Sequence, residues 1–453
     1  MEKQKYEKPV IQKLNTGLLN KFGAATEFAP FTNIEGVPVK GLLEKFGSPL
    51  FVVSERKIRR KYRDVKRIFS MRYPRVQFAW SYKTNYLNAV CNVYHQEGSW
   101  AEVVSGFEYD KALLNSVPGD KIIFNGPDKS DEDLKKAIEN QSLIHIDHLD
   151  ELYSLIQLSE KTDKKPKVAI RVNMDTGIYP QWDRFGFNYE NGQAWDAINK
   201  IMIAERLNLV GLHCHIGTFM LSPKAYGIAA AKMAELAVRT HEKYNKWVTY
   251  IDMGGGLPSR NNLKGAYLPG ADMVPGIDEF AESVASGILN SDIDPEHLPI
   301  LIMESGRALI DEAGYLLGTV LANKRLTSGK RATILDFGVN LLFTSFWYNH
   351  KVTPAQEFTQ YREDMELFGP LCMNIDVIRE NINLPSLNKG DQVVVQQIGA
   401  YNMTQWMQFI TLRPNIVMID PDGQTHIIRE AETVNYINMQ ERVPDHLKNF
   451  NLS

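Results

Sequence analysis

The stretch "FAWSYKTNYLNAV" (78–90) changes character at a lysine: an apolar, aromatic run with a period near two ends at Lys83, and a helix-like run follows. A lone lysine at a strand end is most often a snorkelling surface residue. Flanked by Trp80 and Tyr82 in a partly apolar pocket, the same amine would be a nucleophile toward a carbonyl, forming a Schiff base. Three other places carry chemistry that would complement it. "DMGGGLP" (252–258) sets three glycines in a row, Gly254, Gly255 and Gly256, where backbone N–H groups can approach an anion closely. "MESGR" (303–307) supplies Glu304, and "HCHIG" (213–217) supplies His215. A strand-end glutamate is otherwise a solvated carboxylate, and a lone histidine is otherwise structural. His213 and His215 lie two residues apart on one strand face and would suit a metal, but no third ligand follows at a metal-site spacing, so no metal is expected.

An amine, an anion-binding turn, an acid and a flat imidazole together match the needs of pyridoxal 5'-phosphate. The amine would hold its aldehyde, the glycine turn its phosphate, and Glu304 would keep its ring nitrogen protonated while His215 stacks on the ring.

The elements that must position these residues repeat. Short apolar runs at 78–83, 101–105, 122–126, 143–147, 168–173, 209–215, 250–256 and 300–305 read as strands, with helical periodicity between them, as in "DEDLKKAIEN". Eight β/α units point to a closed (β/α)8 barrel, an α/β fold. The strands end in Lys83, Ser105, Gly126, Asp147, Asn173, His215, Gly256 and Glu304 with Ser305, so the polar groups collect at the mouth where such barrels hold their sites. After residue 311 come strands without regular helices: "YLLGTVLANKRL", "RATILDFGV", "QVVVQQIGAY", "NIVMID" and "THIIREAETV". These read as a mostly antiparallel β domain, which the early strand "PLFVVSE" would join. The expected organisation is a barrel over 52–311 and a discontinuous β domain from 1–51 plus 312–453.

Composition narrows the function classes. The chain of 453 residues is 44% hydrophobic and 23% charged, with a formal net charge of −3. It offers no basic field for nucleic acid and no run near the ~18 apolar residues of a membrane span. Cys91, Cys214 and Cys372 are far apart and odd in number, which predicts neither disulfides nor a zinc site. With no apolar leader in "MEKQKYEKPVIQKLN", a cytoplasmic protein handling a small molecule is expected.

The ordered motifs "YKTN", "VVSGFE", "GLHCHIGT", "DMGGGLP", "ESGR", "GPLCMNID" and "GAY" resemble the fold-type III pyridoxal-phosphate decarboxylases, the group that includes diaminopimelate and ornithine decarboxylases. The resemblance runs from "FGSPLFVVSE" to "GAYNMTQWMQF". It implies that Lys83 holds the cofactor, His215 stacks on it and Glu304 meets the ring nitrogen. Thr218, Gly254, Gly255, Gly256, Arg307 and Tyr401 would surround the phosphate, although Arg307 faces the substrate carboxylate in some members. Cys372 would protonate the product from the partner subunit of a head-to-tail homodimer. The implied substrate pocket comprises Arg307, Thr344, Tyr348, Asn349, Met373 and Asp376. At three of these the chain departs from its relatives: Met373 stands in place of an acid, Thr344 in place of an arginine, and Asn349 in place of an aspartate. Ser305 replaces the usual proline. The implied activity is decarboxylation of an amino acid, free or carrier-attached, whose distal end is less charged than that of diaminopimelate or ornithine. The alternatives are an amino-acid racemase on the same fold and an enzyme-like regulator without catalysis.

Overall fold

A computed structural model of the chain describes residues 29–358 and 361–448. Residues 1–28, the first part of the expected β domain and the stretch on which the expectation of no apolar leader rests, lie outside the described residues.

Eight parallel strands close on themselves: Val76–Ser81, Trp100–Val103, Ile122–Phe124, Leu143–Ile146, Lys167–Asn173, Asn208–Cys214, Tyr250–Asp252 and Ile300–Met303. Closure is made by Leu301, Ile302 and Met303, which pair with Val76, Gln77 and Phe78. Most residues of these strands are buried, because side chains on one face fill the barrel and those on the other meet helices. The strands therefore read as apolar runs rather than as clean alternation. The helices bury one stripe each. Asp131–Glu139 buries Leu134, Ala137 and Ile138, and Ser130 caps it by accepting from the Asp133 amide at 3.1 Å.

The second sheet is mostly antiparallel. Its long strand Gly314–Arg325 pairs antiparallel with Leu50–Ser54, Arg331–Leu335 and Gln392–Gln396. Two pairings are parallel: Arg331–Leu335 with Arg362–Phe368, and Ile416–Ile419 with Leu50–Ser54. Arg362–Phe368 and Val377–Pro385 were not among the expected strands. They form the outer edge of the sheet, where charged and polar residues face solvent and dilute the apolar pattern.

This sheet is seated on the lysine turn of the barrel. The Tyr401 amide donates to the Thr84 carbonyl at 2.8 Å, Thr404 Oγ1 to the Lys83 carbonyl at 3.1 Å, and Asn85 Nδ2 to the Gly399 carbonyl at 3.1 Å.

Candidate active site

The strand before Lys83 ends at Ser81, and the lysine rides on a single 3₁₀ turn, Tyr82–Thr84. The same holds around the mouth. Strand pairing stops at Val103, Phe124, Ile146, Cys214, Asp252 and Met303, so all the expected strand-end residues except Asn173 sit just past the ladder. Freed from pairing, the backbone there bends to aim side chains across the mouth.

Lys83 Nζ lies 2.7 Å from Glu102 Oε2 and 3.0 Å from Oε1. Glu102 is buried in the strand Trp100–Val103 and also accepts from Ser81 Oγ and, at 3.2 Å, from Asn125 Nδ2. Burial works against the charge on Lys83, but the Glu102 and Glu304 carboxylates outweigh it and raise the amine well above the ordinary lysine range. An amine attacks only when neutral, so Glu102 is the group placed to receive its proton.

Glu304 accepts from Asn125 Nδ2 at 2.5 Å and lies 3.4 Å from His213 Nε2. His215 is held differently: its Nδ1 accepts from the Gly255 amide at 2.9 Å, which leaves the ring proton on Nε2. Burial, reinforced by Arg171 and Lys83, lowers its basicity far below the usual histidine value, so the ring is neutral. His213, for which the sequence analysis expected no metal, packs on His145, with ring centroids 4.6 Å apart. His145, His213 and Glu304 bring their ligand atoms within 4.8 Å of one another, a grouping that linear spacing did not reveal.

The glycine turn is closely packed by backbone at each of its three glycines. Gly254 and Gly256 adopt φ of +66° and +91°, and a Cβ at Gly256 would stand 2.2 Å from the Gly217 carbonyl oxygen. The Gly254 amide donates to Asp252 Oδ1 at 2.8 Å and the Gly255 amide to His215, so two of the three N–H groups orient the site's own side chains. A further donor suited to an anion is Arg307. One guanidinium nitrogen donates to Thr218 Oγ1 at 3.2 Å, and Nη1 is buried without a partner. Aromatic rings surround it, Tyr401 at 5.0 Å and Phe219 and Tyr348 at 5.5 Å.

A cavity of about 230 Å³ lies between Lys83, Glu102, Arg171, Trp182, His215 and Glu304. Its amine and its Glu304 carboxylate, with the unpartnered Arg307 nitrogen outside its lining, are the kinds of group that the aldehyde, ring nitrogen and phosphate of pyridoxal phosphate call for. Sequence reasoning missed Glu102, Asn125, Arg171 and Trp182. The first three were visible as polar residues inside apolar strand runs; Trp182, whose ring lies 5.5 Å from His215, carried no signal.

The distal residues lie elsewhere in the fold. Cys372 is exposed and is not part of the cavity wall of its own chain. Asp376, expected at the substrate, is buried with its oxygens accepting from the Val339 and Leu371 amides, each at 2.8 Å, which ties down the loop that carries Cys372. Met373 and Asn349 are partly buried. Thr344, also expected at the substrate, has its hydroxyl 2.8 Å from His350 Nε2 and 2.9 Å from Asn402 Oδ1, inside the β domain.

Burial, with Arg379 adding to it, pushes His350 down to about 3, below its unfolded value. The unfolded chain thus binds a proton that the folded chain refuses, and the contribution of this neutral histidine is lost as pH falls from about 6.5 toward 3. His350→Gln should therefore cost less at low pH: its destabilisation in urea unfolding shrinks by about 2 kcal/mol between pH 7 and pH 5. A penalty that is constant with pH would refute the assignment.

The family model "Pyridoxal-dependent decarboxylase, pyridoxal binding domain" matches residues 55–311, more than half of the chain. The chain belongs to this decarboxylase family. The decarboxylase is 28% identical to diaminopimelate decarboxylase of Methanothermobacter thermautotrophicus, over 91% of this chain and 96% of the relative. To that of Methanocaldococcus jannaschii it is 29% identical, over 91% and 95%. The crystal structure of diaminopimelate decarboxylase from M. jannaschii superposes with a TM-score of 0.85 over 93% of this chain and 98% of that one, at 28% identity. A Vibrio vulnificus lysine/ornithine decarboxylase complexed with cadaverine, 23% identical with a TM-score of 0.71, shares the fold.

The protein is thus an enzyme, a pyridoxal-phosphate-dependent amino-acid decarboxylase. Bound at this cavity, pyridoxal phosphate supplies the electron sink that decarboxylation requires. The chain supplies the rest. Glu102 would exchange a proton with Lys83 Nζ, Glu304 would face the ring nitrogen, and the neutral His215 would give a flat, uncharged face. Among the described residues no helix is long and apolar enough to cross a membrane.

Proposed function

We propose that this decarboxylase acts on an amino acid, free or carrier-attached, whose side chain ends in an uncharged or otherwise functionalised group, in preference to diaminopimelate, lysine or ornithine. It works in the cytoplasm as a homodimer, with Cys372 of each protomer completing the other's site and delivering a proton to the carbon that CO2 leaves. One observation carries the substrate reading: positions 344, 349 and 373 hold Thr, Asn and Met, none of them charged, and the histidine behind Thr344 is neutral. A substrate ammonium entering such a pocket would lose its hydration without gaining a carboxylate, at a cost of several kcal/mol. Phe343, Trp347 and Tyr401 pack edge to face beside it and provide an apolar wall. The exposure of Cys372 supports a shared site, since a proton donor placed outside its own cavity can serve a neighbour's.

CO2 release from a panel of amino acids tests the proposal. Neutral or modified side chains should lead, and Met373→Glu should raise activity on diamino substrates relative to the enzyme's own best one. A kcat/KM for meso-diaminopimelate of roughly 10⁴ M⁻¹s⁻¹ or more in the unmodified enzyme would sink it.

A further inference from the structure

Two buried carboxylates line the cavity, Glu102 at the lysine and Glu304 beside His213, and one side chain touches both. Asn125 lies just past the strand Ile122–Phe124 and is 3% exposed. Its Nδ2 stands 2.5 Å from Glu304 Oε1 and 3.2 Å from Glu102 Oε1. A carboxamide nitrogen carries two hydrogens, one for each acid. The flipped amide would turn its oxygen toward two anions, so electrostatics allows one orientation. In that orientation Oδ1 is buried with no partner, a cost that the two charge-assisted bonds offset. The Asn125 amide donates to the Val103 carbonyl at 2.8 Å, which anchors the residue to the strand that carries Glu102.

We propose that Asn125 is a positioning residue that holds Glu102 and Glu304 at a fixed separation, so that proton affinity at the lysine and at the ring nitrogen is set jointly. This goes beyond the substrate reading above and does not depend on it. Tied to a single amide, neither carboxylate can swing away without losing its own bond or drawing the amide off the other. Both act on Lys83, Glu102 more strongly than Glu304. The charged and titratable groups that face the pair are Lys83, Glu108, His145, Arg171, His213 and Asp252. None of them donates to both acids.

Asn125→Ala removes both hydrogen bonds. Asn125→Leu keeps the bulk with no donor and no added charge, and guards the test should the alanine variant fold poorly. The first readout uses the protein before cofactor is added: the rate at which formaldehyde and cyanoborohydride methylate Lys83 at pH 9, with surface lysines as internal standards. Carboxylates relieved of their shared donor grip the ammonium harder, so Lys83 should be labelled at least about threefold more slowly in both variants. The second readout is pyridoxal phosphate affinity from visible absorbance, expected to weaken at least about tenfold. A merely structural role would weaken binding and leave the labelling rate unmoved. Wild-type labelling rates in both variants overturn the proposal. Should the unmodified protein take up no pyridoxal phosphate, the cofactor assignment falls, and the labelling comparison still decides the role of Asn125.

Discussion

Lys83→Ala loses the visible absorbance of bound cofactor and CO2 release together, the latter by several orders of magnitude, as expected for a covalent catalyst that acts as part of a unit. The size follows from the geometry. Lys83 is the amine held against the buried Glu102 at 2.7 Å, and among the described residues it is the lysine that lines the cavity. The substitution also leaves a buried carboxylate without its cation. Breaking a buried pair from one side costs up to roughly 3–5 kcal/mol, and less here because the lysine side chain is 40% exposed. The double variant Lys83→Ala with Glu102→Gln should therefore recover melting temperature without recovering turnover. Spectra and turnover measured side by side separate the two effects, and full activity in Lys83→Ala would end the argument from the barrel mouth.

Cys372→Ala takes up pyridoxal phosphate normally yet slows or diverts product formation, with some aldehyde appearing where a proton reaches the wrong carbon. Its thiol lies on a loop held by Asp376, outside the cavity of its own chain. A shared site makes a numerical prediction. In an equal, exchanged mixture of Cys372→Ala and Lys83→Ala chains half the dimers are mixed, and each mixed dimer has one site of two intact, about a quarter of wild-type activity. A mixture no more active than its parents would show that each chain works alone.

Much of the site was legible because chemistry left marks in short motifs. Lys83 interrupts an apolar run, Glu304 ends one, and the three glycines admit few structural explanations. Glu102 and Asn125 were harder to see. Both lie in or just after strands that read as apolar, and only closure of the barrel brings residues 23 and 179 positions apart to a single amide. The glycine turn shows the close backbone approach that its motif announces; what the motif does not show is that Asp252, His215 and Gly217 are among the groups that approach. For Thr344 and Asp376 the sequence did not show their hydrogen bonds within the β domain, because the partners Asn402 and Val339 come from other segments.

The strand Leu50–Ser54 is made before the barrel and is buried at all five positions between Gly314–Arg325 and Ile416–Ile419. On the ribosome it waits about 260 residues for the first of these neighbours, roughly 13–50 s at ordinary elongation rates, as an apolar ribbon with both edges bare. Truncation after residue 311 would make that wait permanent. The cofactor barrel is therefore not a fragment that can be cut free with its N-terminal strand intact; deleting residues through 54 along with the C-terminal sheet is the cut that leaves no sticky edge behind.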